Sequence, residues 1–125
     1  MKSNSDNRPE TFINLGDGSW QYNFNVREIQ VPVEGGTEGE TRTAYEYESV
    51  IVWGYPTFDK CVKAVLRDRR DETQEFNLVN RYNAYVLGVS EDEADRNDYI
   101  AYLREVKDVK AQVERDIEEF GNATK

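Results

Sequence analysis

One stretch near the end of the chain restricts the fold more than any other. From residue 90 to about 120 the sequence reads as a single helix in which Tyr99, Val106, Val113 and Phe120 recur at seven-residue intervals, with Tyr102, Leu103, Val109 and Ile117 between them. About thirty helical residues at ~1.5 Å each span ~45 Å. A compact domain of 125 residues has a radius of gyration of only ~14 Å. Such a helix must project past the core or carry other elements along its length. Packing on the preceding helices, through Phe76, Val79 and Tyr82, is expected up to about Val106. Beyond that point Val109, Val113, Ile117 and Phe120 form a strip that a soluble monomer rarely leaves open, so a second copy or another protein is expected to cover it.

The helices before it are marked by caps and stops. After Gly54-Tyr55-Pro56, Thr57 can cap a helix from 58 to about 70 whose apolar face is Phe58, Cys61, Val62, Val65 and Leu66. Asp71 caps a second, 72–87, with Phe76, Val79, Tyr82, Val86 and Leu87 as its stripe and Gly88 as its stop. Ser90 with Glu93 three residues on predicts a capping box for the long helix.

The first part of the chain alternates with a period of two. Gly16-Asp17-Gly18 predicts a hairpin turn, after which Trp20, Tyr22, Phe24 and Val26 alternate with Gln21, Asn23, Asn25 and Arg27, and Ile29, Val31 and Val33 continue the pattern. Residues 34–41, EGGTEGET, predict a mobile loop. A third strand follows from Arg42 through Tyr45 and Tyr47 to the unbroken run Val50-Ile51-Val52-Trp53, which suggests burial on both faces there. The aromatic faces Trp20, Tyr22, Phe24 and Tyr45, Tyr47, Trp53 are read as the inner side of the sheet or as a partner surface. Together these features predict an α+β domain: a small antiparallel sheet of about three strands, then a helical hairpin and a long C-terminal helix. Residues 1–9 are expected to be a disordered arm, 10–120 one domain (10–54 β-rich, 57–120 helical) and 121–125 a tail.

Residue chemistry excludes more than it selects. With no histidine and one cysteine there is no Ser-His or Cys-His pair and no internal disulfide, and no cofactor or metal site is expected. Cys61 falls on an apolar helix face and reads as a core residue. Glu91, Asp92, Glu93, Asp95 and Asp98 lack the glycine and the alternate ligands of an EF-hand loop, and read as acids in a helix's first turns. No uncharged stretch approaches the ~20 apolar residues of a membrane crossing, and the first residues have no apolar signal-peptide centre. Asn122-Ala123-Thr124 matches a glycosylation acceptor by spacing alone.

The formal charge of -9 makes nucleic acid and anionic lipid unexpected partners unless a local patch reverses it. Lys60, Lys63, Arg67, Arg69 and Arg70 are that patch, with five cations against two acids over residues 58–70, and they read as a solvated helix face. Residues 91–120, by contrast, hold eleven acids against five cations.

The order of parts carries a family likeness. NLGDGSWQYNFNVREI, an acidic glycine loop, and then TAYEYESVIVWGYPTFDKCVKAVLRDRRDETQEFNLVNRYNAYVLG resembles small proteins encoded in tail-gene regions of phages and prophages of Bacteroidetes-type bacteria, over about residues 11–88. The chain departs from that pattern at Asp68-Arg69-Arg70-Asp71, where relatives carry a lysine-tyrosine-serine turn. The resemblance implies no catalytic residues. It implies a non-enzymatic, tail-associated phage structural or assembly protein, located in the virion or the bacterial host cytoplasm, whose partners are other virion proteins or a second copy. Tyr102, Val109, Val113, Ile117, Phe120, Tyr45 and Tyr47 are the candidate partner interface. The alternative is an acidic decoy or regulator that binds a basic host protein.

Overall fold

The structure, a computed structural model, describes the backbone of residues 1–123 and side chains through residue 121. Seven elements follow one another: β1 (Lys2–Ser5), β2 (Phe12–Asn14), β3 (Ser19–Pro32), β4 (Thr41–Trp53), α1 (Phe58–Arg69), α2 (Glu72–Val86) and α3 (Glu93–Ala123). The strands form one antiparallel sheet in the order β1-β4-β3-β2. The α+β class and the helix order agree with the sequence reading.

The fourth strand comes from the segment expected to be a disordered arm. Lys2–Ser5 pairs with β4, placing Ser3 opposite Tyr47 and Ser5 opposite Tyr45. A strand whose sequence is Lys-Ser-Asn-Ser buries no residue; main-chain pairing along an available edge holds it, and that leaves no hydrophobic trace in the sequence. The eight-residue glycine loop is also more ordered than expected. Val33 N–H donates to Glu40 O, Glu40 N–H to Thr37 O, and the Glu40 carboxylate accepts from Thr37 N–H.

A bulge in β3 sets which residues face inward. Phe24 pairs with Glu48 and Arg27 with Glu46, so two β3 residues, Asn25 and Val26, stand against one on β4. Asn25 takes the left-handed conformation at φ 52°, which Asn tolerates better than most side chains, and its Nδ2 donates to Glu48 Oε2 at 2.5 Å. Even-numbered residues face the helices before the bulge, and Arg27, Ile29 and Val31 do so after it. The change of parity between Phe24 and Ile29 in the sequence is the mark of that extra residue.

Helix ends obey local chemistry. Thr57 accepts from Lys60 N–H, and Asp71 and Gln74 form a reciprocal capping box. Gly88, at φ 79°, closes α2: Val89 N–H donates to Ala84 O and Gly88 N–H to Tyr85 O. At α3 the expected Ser90–Glu93 box is absent. Asp92 Oδ1 accepts from Ala94 N–H instead, while Ser90 Oγ donates to Asp95 Oδ2 at 2.6 Å. Asp92 directly precedes the first helical residue and takes the cap from a serine two residues too early. The helix runs on to Ala123 rather than ending in a tail at 121; the glycosylation-like tripeptide extends past the described residues.

The core corrects the reading of the long helix. Phe12, Tyr22, Phe24, Val50 and Val52 of the sheet pack with Cys61, Val62 and Val65 of α1 and with Val109 and Val113 of α3. Ile117 and Phe120 pack against the same cluster, with the Phe120 ring 4.9 Å from Phe12 and 6.1 Å from Trp20. The strip assigned to a partner is therefore occupied by this chain's own sheet. Its cover is not the Phe76, Val79 and Tyr82 face of α2 either, because α2 contributes no buried residue and packs on the first half of α3. The physical reason is area: an aromatic sheet face is too broad for the three buried residues of α1. We predict that Val113→Asp, at a position 1% exposed, unfolds the domain because the charge has no partner. Leu103→Asp on the outer half of the same helix should change stability by no more than about 0.5 kcal/mol. Chemical denaturation of the two variants by circular dichroism measures both.

Candidate protein interface

Where the first half of α3 leaves the sheet it carries α2, and the contacts between them differ in kind from the core. Tyr82 stacks on Tyr99 at 4.5 Å between ring centroids, and Tyr99 meets Tyr102 at 6.2 Å. Around these rings lies a set of ion pairs. Arg81 reaches Asp95 at 2.7 Å and Asp98 at 2.8 Å; Arg70 and Arg69 reach Glu105 at 2.7 and 3.1 Å; Arg67 reaches Glu75 at 2.9 Å. Tyr102 donates to Glu75 Oε1 at 2.9 Å and lies under the Arg70 guanidinium.

Two charge features of the sequence thus acquire a job. Arg67, Arg69 and Arg70, read as a solvated face, tie the end of α1 to α2, α3 and Glu48 of the sheet. Asp95 and Asp98 of the dense acidic cluster hold Arg81. The segment Asp68-Arg69-Arg70-Asp71 supplies two of these arginines.

Electrostatics follow the pairing. Arg67 beside Glu75 holds that carboxyl below its usual range. At Glu105 burial opposes the charge, but hydrogen bonds from Arg70 and Arg69 outweigh it and the pKa is lowered. Burial, reinforced by Glu75, raises the Tyr102 phenol.

What the hairpin leaves outside is apolar. Phe76 is 67% exposed, Leu87 77% and Val89 82%, with Val86 and Leu103 also exposed. Phe76, Val79 and Tyr102 line a groove of about 250 Å³ bordered by Glu72, Glu75 and Arg67. Of the expected interface residues, Val109, Val113, Ile117 and Phe120 are consumed by the core. Tyr102 is half-buried at the α2–α3 contact, and Tyr45 and Tyr47 are half-buried on β4 beside β1. The residues that the sequence reading did not select, Phe76, Leu87 and Val89, had one signal: three apolar residues, Val86, Leu87 and Val89, flank the helix-stopping Gly88, where a chain reversal faces solvent.

Two titratable side chains of the core, Tyr22 and Cys61, are held in their neutral forms. Tyr22 donates to Asp116 Oδ2 at 2.5 Å, Gln112 Nε2 supports the same oxygen at 2.9 Å, and burial raises the Tyr22 phenol first, with Asp116 adding to it. Burial pushes the Cys61 thiol up to about 12, the opposite of what a nucleophile needs. A cavity of about 240 Å³ lies between Phe24, Val65, Val109 and Val113, with Arg69 and Arg115 at its wall. Among the described residues no three acidic or cysteine side chains are grouped to hold a metal, and no helix is long and apolar enough to cross a membrane. Comparisons with protein-family models, curated proteins and solved structures return no match.

Because Glu75 and Glu105 are held below the ordinary value of 4.5, their pairs add stability above that pH and lose it as pH falls through the lowered folded values. We therefore predict that α2 and the first half of α3 loosen from the end of α1 below about pH 4 while the sheet core persists. Near-ultraviolet circular dichroism of the stacked tyrosines, followed beside far-ultraviolet signal, checks this: the two should change together only if hairpin and core are one unit.

Proposed function

We propose that this chain is a non-enzymatic assembly protein that works through protein–protein contacts, with the outer face of the α2–α3 hairpin as its principal contact surface. One observation carries the reading: a helix that contributes nothing fully buried to its own fold displays Phe76, Val86 and Leu87 to solvent, followed at once by Val89. Surface of that kind costs solubility unless a partner covers it. The resemblance of residues 11–88 to phage tail-region proteins supports placing the assembly in a phage particle, as a tail-associated component. The acidic-decoy alternative draws less support, because two acids of the densest cluster, Asp95 and Asp98, already hold Arg81 of the same chain. The test is to purify particles, and their assembly intermediates, from a host producing a phage that encodes the chain. We expect mass spectrometry to find the chain at a fixed copy number and a Phe76→Asp, Leu87→Asp double variant, folded by circular dichroism, to be excluded. Absence of the unaltered chain from both particles and intermediates would overturn the proposal.

A further inference from the structure

A second surface, along the edge of β4 beside α1, has a more specific chemistry. β1 pairs with residues 45–48 of β4, and its line ends where Ser49 N–H donates to Met1 O at 2.7 Å. β4 continues for four residues more, Val50, Ile51, Val52 and Trp53, which pair with β3 on one side, and no other strand among the described residues pairs with them. In an antiparallel sheet successive residues direct their N–H and C=O to opposite neighbours. Since Ser49 turns toward β1 and Gly54 N–H donates to Gly18 O at the start of β3, Ile51 and Trp53 present their main-chain groups to the vacant edge. Their side chains are 46% and 67% exposed. An edge of β-branched and aromatic residues without a covering strand is a template for another strand.

The neighbourhood of this edge says what kind of strand fits. A groove of about 430 Å³ runs between it and α1, lined by Ser49, Val50 and Ile51 on one side and by Ala64, Arg67 and Asp68 on the other. One turn before Ala64, Lys60 lays its ammonium over Gly54, so close that a side chain there would sit 2.8 Å from it. Neither Lys60 nor the exposed Lys63 has a carboxylate partner among the described residues. They are the two cations of residues 58–70 left over once Arg67, Arg69 and Arg70 have paired with carboxylates of the same chain. A second copy would set this α1 against its own like charge, and an acidic partner would not.

We propose that the free edge of β4 at residues 50–53 binds an extended segment of another protein by strand addition, antiparallel to β4 and in line with β1. The segment carries apolar residues opposite Ile51 and Trp53. Because an antiparallel guest begins beside Gly54, its N-terminal end bears the acidic residues that meet Lys60. Main-chain bonds supply the affinity and the Ile51, Trp53 and Lys60 side chains supply the selection. The proposal stands whether or not the hairpin surface docks a partner.

The test uses the whole chain, nitrogen-15 labelled, and the synthetic peptide acetyl-Glu-Glu-Val-Thr-Val-Thr-amide. In the free protein the Ile51 and Trp53 amides should exchange rapidly with solvent while those of Val50 and Val52 are protected. Adding the peptide should protect Ile51 and Trp53 selectively. Replacing its two glutamates by lysines should weaken binding about tenfold, and Lys60→Glu in the protein should reverse that preference. Ile51→Pro removes an edge donor at a position where proline is tolerated, and should abolish binding while Val52 stays protected. If that variant fails to fold, the Lys60→Glu reversal decides. The proposal is overturned if Ile51 and Trp53 are already protected in the dilute free chain, if their protection instead grows with the chain's own concentration, if the peptide perturbs only α2 and α3, or if it leaves every amide unmoved at about 5 mM.

Discussion

The fold depends on covering one sheet face. Tyr22 and Phe24 stack ring on ring at 4.9 Å, Phe12 stacks on Tyr22 from β2, and Val50 and Val52 complete an apolar surface that water must not reach. α1 covers the part nearest β4 with Cys61, Val62 and Val65, and Val109 and Val113 of α3 close the rest. Inside this contact the Tyr22 hydroxyl donates to Asp116, whose carboxylate also accepts from Gln112 Nε2. The Tyr22–Asp116 bond satisfies the one hydroxyl that aromatic burial would otherwise strand and ties the long helix to the centre of the sheet.

Everything outside the core follows from that commitment. A helix of thirty-one residues spends its second half on the sheet, so its first half must leave it, and α2 has only that departing half to pack on. α2 buries no residue fully; its contact with α3 uses tyrosine stacking and arginine–carboxylate pairs, and Phe76 and Val86 stay outside. Partly exposed ion pairs of this kind contribute about 0.2–1 kcal/mol each, whereas burying a core valine is worth about 1.5–3 kcal/mol. The molecule therefore has a strongly held half and a lightly held one. The lightly held half bears the proposed assembly surface, which is the usual place for elements that adjust to a partner.

The two proposed surfaces differ in the physics they would use. The hairpin offers area and shape, with Phe76 and Leu87 as large anchors. The β4 edge offers direction and register through main-chain groups, with Lys60 as a charge marker at one end. Both arise because an element is half-satisfied: a helix with one covered side, and a strand with residues 50–53 paired on one edge among the described residues.

Local chemistry was legible without any structure. The period-two alternation of Trp20, Tyr22 and Phe24, the caps at Thr57 and Asp71, the Gly88 stop and the apolar face of α1 each rest on contacts within a few residues, so the sequence by itself determined the three helices, the long strands, their order and the α+β class. Of the candidate interface, the sequence supplied the apolar residues but not which of them stay outside. Val113 and Leu103 look alike as members of a helical stripe, and only the position of the sheet beneath one and of solvent beside the other separates them. β1 was invisible for a related reason: Lys-Ser-Asn-Ser becomes a strand by bonding its backbone to β4, more than forty residues away, and backbone groups are the same in every sequence. Tertiary structure alone decided which half of the long helix is core, because that choice turns on how wide a face the strands assemble, a quantity no single segment contains.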